Sequence, residues 1–74
     1  MEVLYKGIVN EITERSLTLQ LEDGSIVFYK EWVNNSGKAI DCTIIRAKDG
    51  YDISLEDPEL FDKICEYVDY NVTF

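Results

Sequence analysis

Between Gly7 and Glu56 apolar and polar residues alternate in short runs cut by tight-turn residues, and this period of two constrains the fold more than any other feature of the chain. Leu17-Thr18-Leu19-Gln20-Leu21 is the cleanest half-buried strand. Asp23-Gly24 follows it, the dipeptide that tolerates the positive φ angles of a hairpin turn. Ile26 to Trp32 is therefore expected to pair back antiparallel on the leucine strand. The first segment puts Val3, Tyr5, Gly7 and Val9 on one side and Leu4, Ile8, Asn10 and Ile12 on the other, as a long curved strand would, with Gly7 marking a bulge or bend. A short Glu14-Arg15-Ser16 connection joins it to the leucine strand.

Asn34-Asn35-Ser36-Gly37 clusters four turn formers and reads as a loop. Ala39 to Ala47 reads as the next strand, Asp49-Gly50 as a tight turn, and Tyr51 to Leu55 as a fifth strand. After Glu56 the period changes. Asp57 suits an N-cap, Pro58 the first helical position, and Leu60, Phe61, Ile64, Cys65 and Val68 fall on one helical face. The expected architecture is mainly β: a single domain over residues 1–74, with a five-stranded barrel over 1–56, a helix over 57–69, and a tail or short strand over 70–74.

The 74 residues carry 15 acids against 7 bases, a formal net charge of −8. Such a field disfavours polyphosphate chains and anionic membranes on average and favours basic partners. Cys42 and Cys65 occupy apolar positions and read as buried, inert thiols rather than as a disulfide framework. No secretion-type leader pattern opens the sequence and no apolar run nears the ~20 residues of a membrane span, so a cytoplasmic, membrane-free protein is expected.

The stretch Gly7-Ile8-Val9-Asn10-Glu11-Ile12, with Leu19, Leu21, Glu22, Asp23 and Gly24, then Gly37-Lys38-Ala39-Ile40, then Asp49-Gly50 and Ile53-Ser54-Leu55, resembles the ribosomal-protein S1-type OB domain and the bacterial translation initiation factor built from one OB barrel. The resemblance implies an OB-type barrel, although SH3-like barrels share the same long strands and Asp-Gly hairpins. It also implies RNA or single-stranded nucleic-acid binding. The departures point the other way: Arg15 and Thr18 stand where the family stacks bases on aromatic residues, Lys30 stands at its histidine, and Glu56 and Asp57 follow Leu55 where lysine is common.

An enzymatic role has little support, since the chain contains no histidine, the usual general base near neutral pH. The carboxylate pairs Glu22/Asp23 and Asp57/Glu59 are explained as a hairpin turn and a helix start. No metal-binding spacing occurs, and no cofactor is expected. Two binding readings remain. In one, Asp62, Glu66 and Asp69, with Glu56 and Glu59, present an acidic face to a basic protein surface, as an inhibitor or regulator of nucleic-acid-mimic type; small viral and phage anti-defence inhibitors resemble this profile in size and charge. In the alternative, Tyr29, Lys30, Trp32, Arg46, Lys48 and Tyr51 form an aromatic and basic patch for RNA or single-stranded DNA. An unpaired strand edge would also offer a route to a homodimer.

Overall fold

Leu17 and Leu19 are fully buried, and the hairpin register sets Tyr29 opposite Leu17 and Val27 opposite Leu19, so that the same parity is buried on both strands. The computed structural model describes residues 1–9 and 13–73. Its strands are β1 (Glu2–Val9), β2 (Glu14–Gln20), β3 (Ile26–Val33) and β4 (Ala39–Arg46), followed by a short helical turn α1 (Ile53–Glu56) and the helix α2 (Pro58–Asn71). The strands form one antiparallel sheet in the order β1-β2-β3-β4.

The Asp-Gly hairpin forms as expected. Leu21 N–H donates to the Ser25 carbonyl at 2.8 Å, Gly24 has φ +90°, and the Asp23 carboxylate accepts from the Ser25 amide and hydroxyl. In the next loop the Asn34 side chain accepts from the amides of Ser36 and Lys38, while Gly37 takes φ +84°. β2 begins at Glu14, so Glu14, Arg15 and Ser16 are strand rather than connection. The bulge of β1 lies between Val3 and Tyr5 rather than at Gly7. Gly7 has a different purpose: a Cβ there would meet the Tyr5 ring and the Ser16 hydroxyl at 3.1 Å, so the glycine lets Tyr5 lie across the sheet. Asn10 and Ile12 of the first segment and Phe74 of the tail lie outside the described residues.

The five-stranded barrel is not formed, because the residues expected to supply the fifth strand turn into helix. Asp52 caps α1, its carboxylate accepting from the Leu55 amide at 3.3 Å and from the Ser54 hydroxyl, while its carbonyl takes the Glu56 amide at 2.9 Å. Local bonds thus consume the backbone groups a strand would offer to β4 or β1. An isolated bridge between Ile45 and Asp52 is what remains of that pairing. The sheet is open, with β1 and β4 as its edges.

Helix α2 covers one face of this sheet instead. Asp57 accepts from the Leu60 amide at 3.2 Å and Pro58 occupies the first turn, so the helix starts where the sequence indicates. Ile64 and Val68 enter the core with Ile53, against Leu17, Leu19, Val27, Tyr29 and Ile44; Leu60, Phe61 and Cys65 pack around them. Each such aliphatic side chain contributes about 1.5–3 kcal/mol on burial. The helix runs two residues past the expected end, taking in Tyr70, and stops as Val72 becomes extended. Lys6 Nζ donates to the Thr73 carbonyl at 2.5 Å, which fastens the segment after α2 to β1. Among the described residues no helix is long and apolar enough to cross a membrane.

Candidate interaction surfaces

The solvent side of α2 is acidic because its inner side is spoken for. With Ile64 and Val68 turned inward, Glu59, Asp62, Glu66 and Asp69 are all exposed, at spacings of three, four and three residues. At 1.5 Å per residue they form a row about 15 Å long. Lys63 is the sole base of the helix. Glu56 is exposed just before it on α1, and Tyr70, 82% exposed, stands at the far end, one turn beyond Glu66. Glu59 near the positive N-terminal end of the helix dipole is favourable, whereas Asp69 in the last turn faces its negative end and has no basic residue there to offset it. All five acidic residues predicted from sequence therefore lie on the helical side of the molecule.

The opposite face of the sheet is covered by no described element. Register and parity place Tyr5 and Gly7 of β1, Glu14, Ser16 and Thr18 of β2, Phe28, Lys30 and Trp32 of β3, and Asp41, Thr43 and Ile45 of β4 on it. Tyr5 is 64% and Phe28 51% exposed. Lys30 Nζ lies 3.8 Å from Glu14 Oε1 and 5.8 Å from the centre of the Trp32 ring.

The six residues of the aromatic and basic patch are not brought together. Tyr29 is buried on the helix side, whereas Lys30 and Trp32 face outward. Arg46 grips Asp49 through two bonds, Nε to Oδ1 at 3.0 Å and Nη2 to Oδ2 at 2.8 Å, and lies 4.6 Å from the Tyr51 ring centre. This guanidinium holds the Asp49 carboxyl down at about 2. Arg46, Asp49 and Tyr51 thus fasten the turn after β4, and Lys48 is exposed within it. Sequence reasoning missed Tyr5, Phe28 and Tyr70. Parity would have found Phe28: once Leu17 and Leu19 point inward, the hairpin register forces Val27 and Tyr29 inward and Phe28 outward.

Beneath the helix lies a small polar cluster. Tyr29 Oη donates to Glu31 Oε2 at 2.6 Å and Arg15 Nη1 to Glu31 Oε1 at 3.3 Å, so both oxygens of this nearly buried carboxylate are satisfied. Cys42 pairs across the strands with Glu31, and both it and Cys65 are half-buried free thiols rather than wholly buried ones. Burial, and next the neighbouring Cys65, pushes the Cys42 thiol up to about 12; burial likewise raises Cys65 and, with its bond to Glu31, Tyr29. These groups are held protonated, the inert form of a thiol.

A pH dependence follows. The folded state binds the Cys42 proton more tightly than the unfolded chain, where the thiol titrates near 9, so the associated stability is complete below pH 9 and is lost as pH rises towards 12. Thermal melts should be level from pH 7 to 8.5 and then fall. Cys42→Ala should make the fall between pH 9 and 10 shallower, leaving the share of Cys65 there and the loss above pH 10 that includes Tyr29.

A hollow of about 230 Å³ between the hairpin and the start of α2, lined by Met1, Leu21, Glu22, Asp23, Leu60 and Lys63, is smaller than ordinary ligand pockets of about 300–1,000 Å³. No group of three or more cysteines and carboxylates that could hold a metal ion occurs among the described residues. No known family model matches the chain, and neither a curated protein nor a solved structure matches it.

Proposed function

We propose that this protein is a non-catalytic interaction module, an inhibitor or regulator whose α2 face docks on the basic surface of a nucleic-acid-binding protein. One observation carries the reading: four exposed carboxylates, Glu59, Asp62, Glu66 and Asp69, in one row ending at the exposed ring of Tyr70. Rises of about 4.5 and 6 Å between successive carboxylates give a charged track suited to cations that otherwise follow a phosphate backbone. An exposed tyrosine beside such a track supplies the aromatic anchor on which binding energy concentrates. Asp69 adds support, since it stands where the helix dipole makes a carboxylate unfavourable and so is not explained by stability.

Single-stranded nucleic acid as the partner finds less support. Lys30 is the one cation that register places on the outer sheet face among the described strands, and it already sits beside Glu14. Arg46 is neutralised by Asp49.

Immobilised protein should retain a basic nucleic-acid-binding protein from a lysate of its source, with double-stranded DNA competing for the same complex. A variant with lysine at positions 62, 66 and 69 should lose the partner at least a hundredfold, and Tyr70→Ala about tenfold or more, the scale of a hot-spot truncation. Undiminished capture by both variants would refute the assignment to α2.

A further inference from the structure

We infer that the outer sheet face is a homodimer interface, on which a second copy of this chain packs sheet to sheet. The face is stepped. β3 presents the large side chains of Phe28, Lys30 and Trp32, while the neighbouring β2 presents Ser16 and Thr18; on β1 the Tyr5 ring lies over Gly7. A two-fold axis parallel to the strands and running between β2 and β3 lays the β3 ridge of each copy over the β2 trough of the other. Phe28 then meets Thr18 of the second copy, Lys30 meets Ser16 and reaches Glu14, Trp32 covers Glu14, and Tyr5, its ring over Gly7, meets Ile45 and Thr43. Large faces small and the lysine faces a carboxylate, the self-complementarity an isologous contact requires.

The net charge does not forbid this arrangement. Because α2 lies on the other side of each sheet, the dimer stacks helix, sheet, sheet and helix, and layers about 10 Å apart set the two acidic helices about 30 Å from one another, roughly three Debye lengths at 0.1 M salt. Edge pairing is a poorer route. β1 is bulged between Val3 and Tyr5, β4 is bulged at Ile40, and part of β4 is taken by the bridge to Asp52.

Four strands about 4.8 Å apart and about 20 Å long present roughly 400 Å² in projection, and side-chain relief enlarges this. Two such faces bury about 800 Å² in projection, below the ~1,200 Å² of standard specific complexes and in the range of weak, transient ones. The dimer is therefore weak, and it displays an acidic helix on each side.

Sedimentation equilibrium from 10 µM to 1 mM protein, in 20 mM and 500 mM NaCl, tests the assignment. A monomer–dimer equilibrium is expected, tightened severalfold in the higher salt as repulsion between the two anionic copies is screened. Phe28→Asp and Ser16→Arg, at outward-facing positions whose folding circular dichroism verifies, should each weaken association at least tenfold. Lysine substitutions on α2 should not weaken it, which separates this result from the fate of the proposed partner site. A monomer throughout at 1 mM overturns the inference. Dimers indifferent to both variants, or salt-sensitive binding of oligo-dT that quenches Trp32 and leaves no dimer, would likewise assign the face or the contact elsewhere.

Discussion

Ile64→Ala is expected to remove about half of the stability of this protein. Ile64 has no accessible surface and, with Val68, brings α2 into the core cluster that holds Leu17, Leu19, Ile44 and Ile53. Truncating a fully buried isoleucine to alanine costs about 2–5 kcal/mol, from lost transfer energy and from the cavity left behind. A domain of 74 residues has about 4–11 kcal/mol in total at typical per-residue values. The same loss spread through a larger domain would be tolerated; here it leaves a marginal fold. Urea unfolding followed by circular dichroism should show the midpoint falling by about half, and α2 and the sheet should melt together because, among the described elements, only the short α1 with Ile53 shares the covering of the inner face. Leu55→Ala is the matched control. Leu55 is 77% exposed, and its truncation should stay within about 0.5 kcal/mol of the parent. If Ile64→Ala instead left a native-like midpoint, the packing of α2 on the sheet would be wrong.

This dependence on one helix explains which parts of the fold could be read from sequence. Leu17 and Leu19 announced their strand because a single buried parity runs through it, and Asp23-Gly24 fixed the register of the next strand. Asp57-Pro58 marked a helix start through chemistry that does not depend on the rest of the chain. Tyr51 to Leu55 misled because five residues can satisfy a strand pattern while a local bond decides the outcome. Asp52 captures the Leu55 amide and closes a helical turn, and an alternating pattern contains no trace of that competition. Closure of a barrel then fails for want of a strand between β4 and β1, and α2 supplies Ile64 and Val68 where a barrel would fold its sheet over itself.

The candidate surfaces were legible to the same unequal degree. The row from Glu59 to Asp69 follows from helical spacing alone. Tyr70 was hidden because Tyr70, Val72 and Phe74 also alternate, and the end of a helix depends on tertiary contacts and on the C-cap at Val72. The patch around Tyr29, Lys30 and Trp32 came apart because neighbouring residues of one strand necessarily face opposite sides of a sheet. Arg46 was withdrawn by Asp49, three residues away, across a turn whose geometry a list of charges does not convey.

Replacing Asp62, Glu66 and Asp69 with lysine should abolish partner binding and stabilise the protein at the same time. Each replacement adds two units of charge, which takes the formal net charge from −8 to −2 and relieves much of the molecule's self-repulsion. Along the helix the like-charge neighbours at positions 62 and 66 exchange one repulsion for another, so that term nearly cancels. The decisive change is at position 69, where an unfavourable carboxylate in the last turn becomes a favourable cation, worth about 0.3–1 kcal/mol for the dipole interaction. For a domain of this size that corresponds to a rise of about 2–6 °C in melting temperature. The single variant Asp69→Lys should show most of the gain in a calorimetric scan and part of the loss in a titration with the captured partner. A residue kept for the fold would give the reverse pattern, with stability falling on replacement. If Asp69→Lys lowered the melting temperature and left binding intact, the carboxylate row would be a structural feature of α2 and the proposed contact would lie elsewhere.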